Sequence, residues 1–215
     1  MLLGLDSTDS AQGGCTTHVA AEVWRRLSEF GVRGGPRLVR LNPNVPYKTR
    51  GNGALCLELG HGVGRKRLAG VVRGAELYAY SSVEEPTVRE QAEILEIARE
   101  VIEQLRSPDS NTGLVATSTA PRPDFYQEAV TKHVDGAPAI EDAKTATWGT
   151  GRGLIGAIAA AAWPMRRGTY ELISYREPSR WGTRRNVPLS LGAELDAHAP
   201  SSFDNWDPRH GHLRV

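Results

Sequence analysis

The stretch GLDSTDSAQGGCTT, residues 4–17, reads as a strand that ends on a site and a helix that begins on it. Residues 2 to 5 are short and apolar and run straight into Asp6, as a buried first strand would. Asp9 follows one tight turn later. Two carboxylates so placed suit a hard cation such as Mg²⁺, which takes one or two carboxylates and completes its shell with phosphate oxygens and water. Gly13 and Gly14 let the backbone come close to a ligand. A helix starting near Thr16 points free N–H groups and a positive dipole end at the same place. Thr16 and Thr17 add hydroxyls there, and Ser7, Thr8 and Ser10 lie in the turn before the glycines. Asp6 and Asp9 are therefore the candidate metal ligands. Ser7, Thr8, Ser10, Gly13, Gly14 and Thr17 are the candidate nucleotide contacts. The same pattern also fits a plain strand-to-helix turn capped by Asp and Ser.

Outward from this segment, Val19, Val23, Leu27 and Phe30 recur at helical spacing, which predicts a helix over residues 16–30, stopped by Gly31, Gly34 and Gly35. Strands are expected at 37–41, at 54–59 and, as a short piece, at 77–81. The plainest helix runs from Thr87 to Arg106, opened by a capping box of Thr87 and Glu90. A strand at 113–118 follows, then helices near 125–133 and 140–146, an alanine-rich helix from GTGRG to about 162, and a strand at 170–175. Alternating strands and helices argue for an α+β fold with an α/β-like sandwich. Internal breaks are placed near 60–85, 107–122 and 176. From Arg176 onward the chain is polar and loop-like.

A second constellation is NPNVPYKTRGNG, residues 42–53, whose two prolines and two glycines exclude regular structure. Lys48 and Arg50 in this loop can aim two cations at phosphates, as anionic transition states require. Asn42, Asn44 and Asn52 suit a base, a sugar or a metal-bound water. A solvated surface loop is the plainer alternative. A third is GTGRGLIGA, residues 149–157, where Arg152 sits at a helix N-terminus that can bind another anion or simply cap a turn. The C-terminal third interleaves Arg166, Arg167, Arg176, Arg180, Arg184 and Arg185 with Tyr170, Tyr175 and Trp181, a mixture that suits RNA or a nucleobase and equally a basic surface. His210 and His212 have a possible metal-ligand spacing, and Cys15 reads as a small buried residue.

Composition narrows the classes. With 26 basic and 25 acidic side chains the chain as a whole does not resemble a generic nucleic-acid binder. Two cysteines, Cys15 and Cys56, support neither a CxxC zinc site nor a disulfide framework, so a reducing cytoplasm is the expected location. MLLGLDSTDS lacks the charged leader of a signal peptide, and the longest low-charge stretch, residues 153–164, is too short to span a bilayer.

Four segments together resemble one family, the archaeal agmatidine (2-agmatinylcytidine) synthetases that modify an isoleucine tRNA. They are GLDSTDSAQGGCTT, RLVRLNPNVPYKTRGNGA, GTGRGLIGA and TYELISYREPSRWGTRR, in order through nearly the whole chain. The resemblance implies an atypical kinase domain with a ferredoxin-like α+β domain. It implies ATP and Mg²⁺ as cofactors and phosphorylation of the wobble cytidine C2 oxygen, followed by displacement of that phosphate by the amine of agmatine. ATP would end as AMP, and a threonine beside the nucleotide would become phosphorylated. Carried onto this chain, the metal-binding aspartates fall on Asp6 and Asp9 and the phosphate-accepting threonine on Thr16. Lys48 and Arg50 match the family's basic loop.

Two departures stand out. The family reads DDTDS where this chain reads DSTDS, so Ser7 replaces a carboxylate. The chain stops at Val215, where the family continues into an OB-fold and a zinc ribbon, and it holds no cysteine quartet for zinc. A fragment or a short relative is expected, with no OB-fold or zinc ribbon and with a tRNA or a cytidine-like small molecule as acceptor. A non-catalytic RNA-binding or nucleotide-binding module of the same fold is the competing expectation.

Overall fold

In the computed structural model the first strand, β1 (Leu2–Asp6), divides its side chains between two cores. Leu3 and Leu5 enter one, while Leu2, Gly4 and Asp6 face the other. The structure describes residues 1–49, 51–136, 145–149 and 151–164, and scattered positions from 168 to 213. The elements that follow are α1 (Thr16–Arg26), β2 (Gly31–Arg33), β3 (Arg37–Arg40), β4 (Gly53–Val72), β5 (Ala75–Glu84), α2 (Val88–Leu105), β6 (Gly113–Thr117), α3 (Pro123–Thr131), β7 (Thr145–Gly149) and α4 (Gly151–Ala162).

β1 lies between β4 and β6, antiparallel to both, and β3 and β7 extend this sheet on either side. Helices α1 and α2 cover one face: Val19, Val23 and Leu27 meet Ile94, Ala98 and Ile102 over Leu3, Leu5, Leu55 and Leu57. Helices α3 and α4 cover the other, with Phe125, Ala129 and the alanines of α4 packed on Val39, Cys56 and Val115. The result is the expected α+β sandwich, built on a largely antiparallel sheet in which β2 pairs with β5 in parallel. The chain divides into two compact units, Met1–Thr169 and Tyr170–Val215. Within the second, Trp206–Asp207 pairs with His212–Leu213.

Several expected elements come out differently. Helix α1 ends at Arg26, and Gly31 opens a strand. Cys56, Leu57 and Leu59 belong to a strand of 20 residues, β4, which pairs with β5 through a two-residue turn at Arg73 and Gly74. Both turn residues have positive φ, +48° and +80°, as tight hairpins require. The turn is held by Arg73, whose Nε lies 2.5 Å from Oε1 of the buried Glu22 on α1. Residues 145 and 146, expected to end a short helix, open β7 instead, and 137–144 lie outside the described residues. The strand expected at 170–175 and the arginines from Arg166 to Arg185 also fall outside them, except for isolated positions. The capping box is present: Thr87 accepts from the Glu90 N–H, and Glu90 accepts from the Thr87 N–H at 2.7 Å.

Candidate active site

β1 ends on Asp6, which is 7% exposed between the sheet and α4. Its Oδ1 accepts from the Ser7 N–H at 2.6 Å. Its Oδ2 occupies the space that a side chain on α4 would need, since a methyl at Gly156 would lie 1.8 Å from that oxygen. Two residues earlier on the same face, a Cβ at Gly4 would lie 2.2 Å from the Ala157 carbonyl. Gly4 thus brings α4 onto β1, and Gly156 makes room for the carboxylate. Burial pushes the Asp6 carboxyl up to about 8; the Ser7 N–H opposes the rise and the Asp9 charge adds to it. Among the described residues no basic side chain pairs with Asp6. A buried carboxyl without a countercharge suits a bound cation, which would restore its ionised form. No group of three or more His, Cys, Asp or Glu able to hold a metal occurs among the described residues. Asp6 and Asp9 would then supply protein ligands to a hard cation, with phosphate oxygens and water completing the shell.

Thr16 is the first residue of α1 and is buried. Its Oγ1 accepts from the Thr8 N–H at 3.3 Å and from Thr8 Oγ1 at 3.1 Å, and donates to Asp9 Oδ1 at 3.3 Å. The other Asp9 oxygen accepts from Thr49 Oγ1 at 2.6 Å. The backbone here is held from the far side. Ser107 donates its N–H to the Thr8 carbonyl at 2.8 Å, Thr112 Oγ1 donates to the Ser7 carbonyl at 3.1 Å, and Ser10 and Ser107 share a 2.7 Å hydroxyl contact. Gly14 sits at φ +88°, where a Cβ would lie 3.0 Å from Asp9 Cα, so a side chain would both strain the turn and press on the carboxylate. Ser7 also has positive φ, +53°. Thr17 Oγ1 is 3.1 Å from Cys15 Sγ, and Cys15 gives α1 no side-chain cap.

Asp6 and Ser7 open onto a cavity of about 300 Å³ that Lys48, Asn52 and Arg152 also line. The structure therefore brings five of the candidate residues to one space. Lys48 Nζ donates to the Pro43 carbonyl at 2.6 Å, and the Arg152 guanidinium stacks 4.2 Å above the Tyr47 ring. Asn52 Nδ2 donates to the Asn42 carbonyl at 2.8 Å, fixing the base of the loop. Asp9, Thr8, Ser10, Gly13, Gly14, Thr16 and Thr17 are not among the lining residues; they form the adjoining turn. Arg50 lies outside the described residues.

Sequence reasoning missed Tyr47, Lys132, His133, Asp135 and Gly156, all of which line the cavity. Gly156 carried a signal in the small residues of GLIGA. Tyr47 lies inside the NPNVPYKTRGNG loop, whereas Lys132, His133 and Asp135 reach the site only through tertiary packing, from the segment after α3.

The model of the TiaS TCKD domain matches residues 2–150. The chain belongs to the TiaS family. The model of the TiaS FLD domain matches residues 151–215, so the border between the two falls just before α4, inside the first compact unit. Similar proteins include the isoleucine-tRNA 2-agmatinylcytidine synthetase TiaS of Thermoplasma volcanium, 36% identical over 96% of this chain and 48% of that protein. The same enzyme of Methanopyrus kandleri is 35% identical over 99% of this chain and 46% of its own length. The chain spans about half the length of these curated relatives. The crystal structure of TiaS in complex with isoleucine tRNA and ATP has the same fold (TM-score 0.74, 32% identity, 99% of this chain and 48% of that one). So does that of TiaS with isoleucine tRNA, AMPCPP and agmatine (0.72, 28%, 99% and 48%). Among the described residues no helix is long and apolar enough to cross a membrane.

Proposed function

We propose that this chain is the catalytic portion of an ATP- and Mg²⁺-dependent tRNA-modifying ligase, a kinase-like region followed by a ferredoxin-like one. It would activate the C2 oxygen of a cytidine by phosphorylation so that an amine such as agmatine displaces the phosphate. Asp6 and Asp9 hold the cation, which neutralises phosphate charge when bound. Gly13, Gly14 and the start of α1 receive the phosphates, with Ser7, Thr8, Ser10 and Thr17 around them. Lys48 and Arg50 stabilise the transferring phosphoryl group, and Arg152 and Asn52 bound the nucleotide and acceptor space.

The observation that carries this reading is the setting of Thr16. Thr8 donates twice to its oxygen, and its proton points to Asp9, a carboxylate able to take that proton as the oxygen attacks phosphorus. Thr16 then carries one of the two phosphoryl groups that ATP loses in becoming AMP, and the acceptor oxygen carries the other. The complexes of similar TiaS proteins with an isoleucine tRNA, ATP and agmatine support the same substrates here.

The test is an ATP turnover assay that resolves AMP from ADP, run with and without an isoleucine tRNA bearing a wobble cytidine and agmatine. AMP formation that requires the tRNA is the expected result. ADP alone points to a simpler kinase. tRNA binding with no turnover at all would favour the non-catalytic module that Ser7 in place of a carboxylate suggests.

A further inference from the structure

Among the described cavity residues is one histidine, and phosphoryl transfer gives it no role. His133 follows α3 and lines the same space as Asp6 and Lys48. Its position is fixed through the backbone before it. The Lys132 carbonyl accepts from Asn42 Nδ2 at 3.0 Å, the Lys132 N–H donates to the Glu128 carbonyl at 2.8 Å, and the Asn42 N–H donates to the Ala129 carbonyl at 3.0 Å. Asn42 in turn is tied to Asn52, so the histidine segment and the basic loop are wired together. The imidazole packs against Tyr47 with ring centroids 6.0 Å apart, and its Nε2 lies 3.0 Å from Asp135 Oδ1. In the tautomer with its proton on Nε2, the nitrogen facing Asp135, Nδ1 keeps a lone pair and is the proton-accepting atom.

The amine-transfer step that the proposed function requires needs such an atom. An aliphatic amine is stored as an ammonium at neutral pH and attacks only as the free base. When its nitrogen bonds to the activated carbon, the bond from that carbon to the phosphate-bearing oxygen breaks, and phosphate departs with the electron pair. The nitrogen, now positive, must lose a proton. Lys48, Lys132 and Arg152 around the cavity are donors when charged. Asp6 is committed to the cation. Asp135 by itself is 91% exposed, a solvated carboxylate. We infer that His133, oriented by Asp135, accepts the proton of the attacking amine, and acts in amine transfer only. This inference rests on the function proposed above. His133 is then a catalytic residue of the second half-reaction, and Asp135 a positioning residue.

The two half-reactions separate the possibilities. His133→Gln and Asp135→Asn in the full chain are incubated with Mg²⁺-ATP and the tRNA. Phosphorylation of Thr16 is followed by mass spectrometry, and incorporation is measured for agmatine and for hydroxylamine, a nucleophile already a free base at neutral pH. His133→Gln should lower agmatine incorporation by about 10²-fold or more, the usual worth of a general base, and leave Thr16 phosphorylation within about twofold. With hydroxylamine the loss should shrink to less than about tenfold, because less proton removal is required. Asp135→Asn should lower agmatine incorporation more than hydroxylamine incorporation and leave Thr16 phosphorylation within about twofold, since the imidazole loses the carboxylate that faces its Nε2. Equal loss for both nucleophiles, parallel loss of Thr16 phosphorylation, or no loss overturns the assignment to His133. Wild-type chain that makes neither AMP nor amine adduct overturns the proposed function itself and the inference with it.

Discussion

Between Asp6 and Thr16 the polar side chains and backbone bond largely to one another and to the segment at 107–112, with Asp6, Thr8 and Thr16 buried. Between Asn42 and Asn52 the cationic side chain of Lys48 rests on a backbone carbonyl at the surface, and Tyr47, beneath Arg152, is 54% exposed. One wall of the site is prebuilt, and the other holds its cations in weak surface contacts that a phosphate can replace. Preorganised groups lose much when displaced by an ångström, whereas surface contacts of this sort contribute little to stability. Substitutions that crowd or displace the first wall should therefore damage fold and activity together, whereas removing a cation from the second should cost activity alone.

The hardest blow to the first wall is Gly156→Ala. Its methyl would meet Asp6 Oδ2 at 1.8 Å, so Mg²⁺-ATP affinity measured by calorimetry should fall by on the order of 10²-fold. Overpacking should also lower stability by about 1–3 kcal/mol. Unchanged affinity would show that the Asp6 position does not matter to the nucleotide.

Asp6 itself predicts a pH effect. Its carboxyl stays neutral up to about 8 in the folded, metal-free chain but ionises near 3.8 when unfolded. The unfolded chain therefore binds fewer protons between these values, so the stability that the neutral carboxyl provides is fully present below about pH 4 and is lost as pH rises to about 8. Asp6→Asn, which keeps the neutral form, should melt higher than wild type by about 3 °C or more at pH 8, the equivalent of about 1 kcal/mol, and by much less at pH 5. Added Mg²⁺ should close that gap by stabilising wild type only. A gap that does not depend on pH would remove Asp6 from the groups awaiting a cation.

In the second wall, Lys48→Ala and Arg152→Ala should each lower turnover about tenfold and leave stability within about 0.5 kcal/mol, as surface substitutions do. Ser7→Asp should have the smallest effect. It places the family's carboxylate at a residue with φ +53°, a conformation that Asp tolerates, and a severalfold gain in Mg²⁺ affinity is expected from calorimetry.

The same contrast explains what the sequence disclosed. The first wall is local: Asp6, Asp9 and Thr16 lie within eleven residues, and a strand, a glycine turn and a helix start are readable from spacing. The sandwich was legible too, because Leu3 and Leu5, the Thr87–Glu90 cap and the α2 stripe each obey a simple period. The second wall was half legible, since Lys48 and Asn52 announce themselves while His133 and Asp135 arrive from a segment some 80 residues away. Of the β4–β5 hairpin only the pieces at 54–59 and 77–81 were legible, because Gly60, Gly62 and Gly64 followed by Arg65, Lys66 and Arg67 carry no apolar alternation. In the fold a Cβ at Gly60 would lie 2.0 Å from the Glu84 carbonyl, so this glycine marks a close approach of strands.

The central claim is that the turn from Asp6 to Thr16 transfers phosphoryl groups, and intact-protein and peptide mass spectrometry after incubation with Mg²⁺-ATP test it most directly. One phosphoryl group on Thr16 is expected in wild type, on the replacing serine in Thr16→Ser, and on neither Thr16→Val nor Asp9→Asn. AMP formation at the wild-type rate by Thr16→Val, with no phosphate on Thr16 in the wild type, would contradict it.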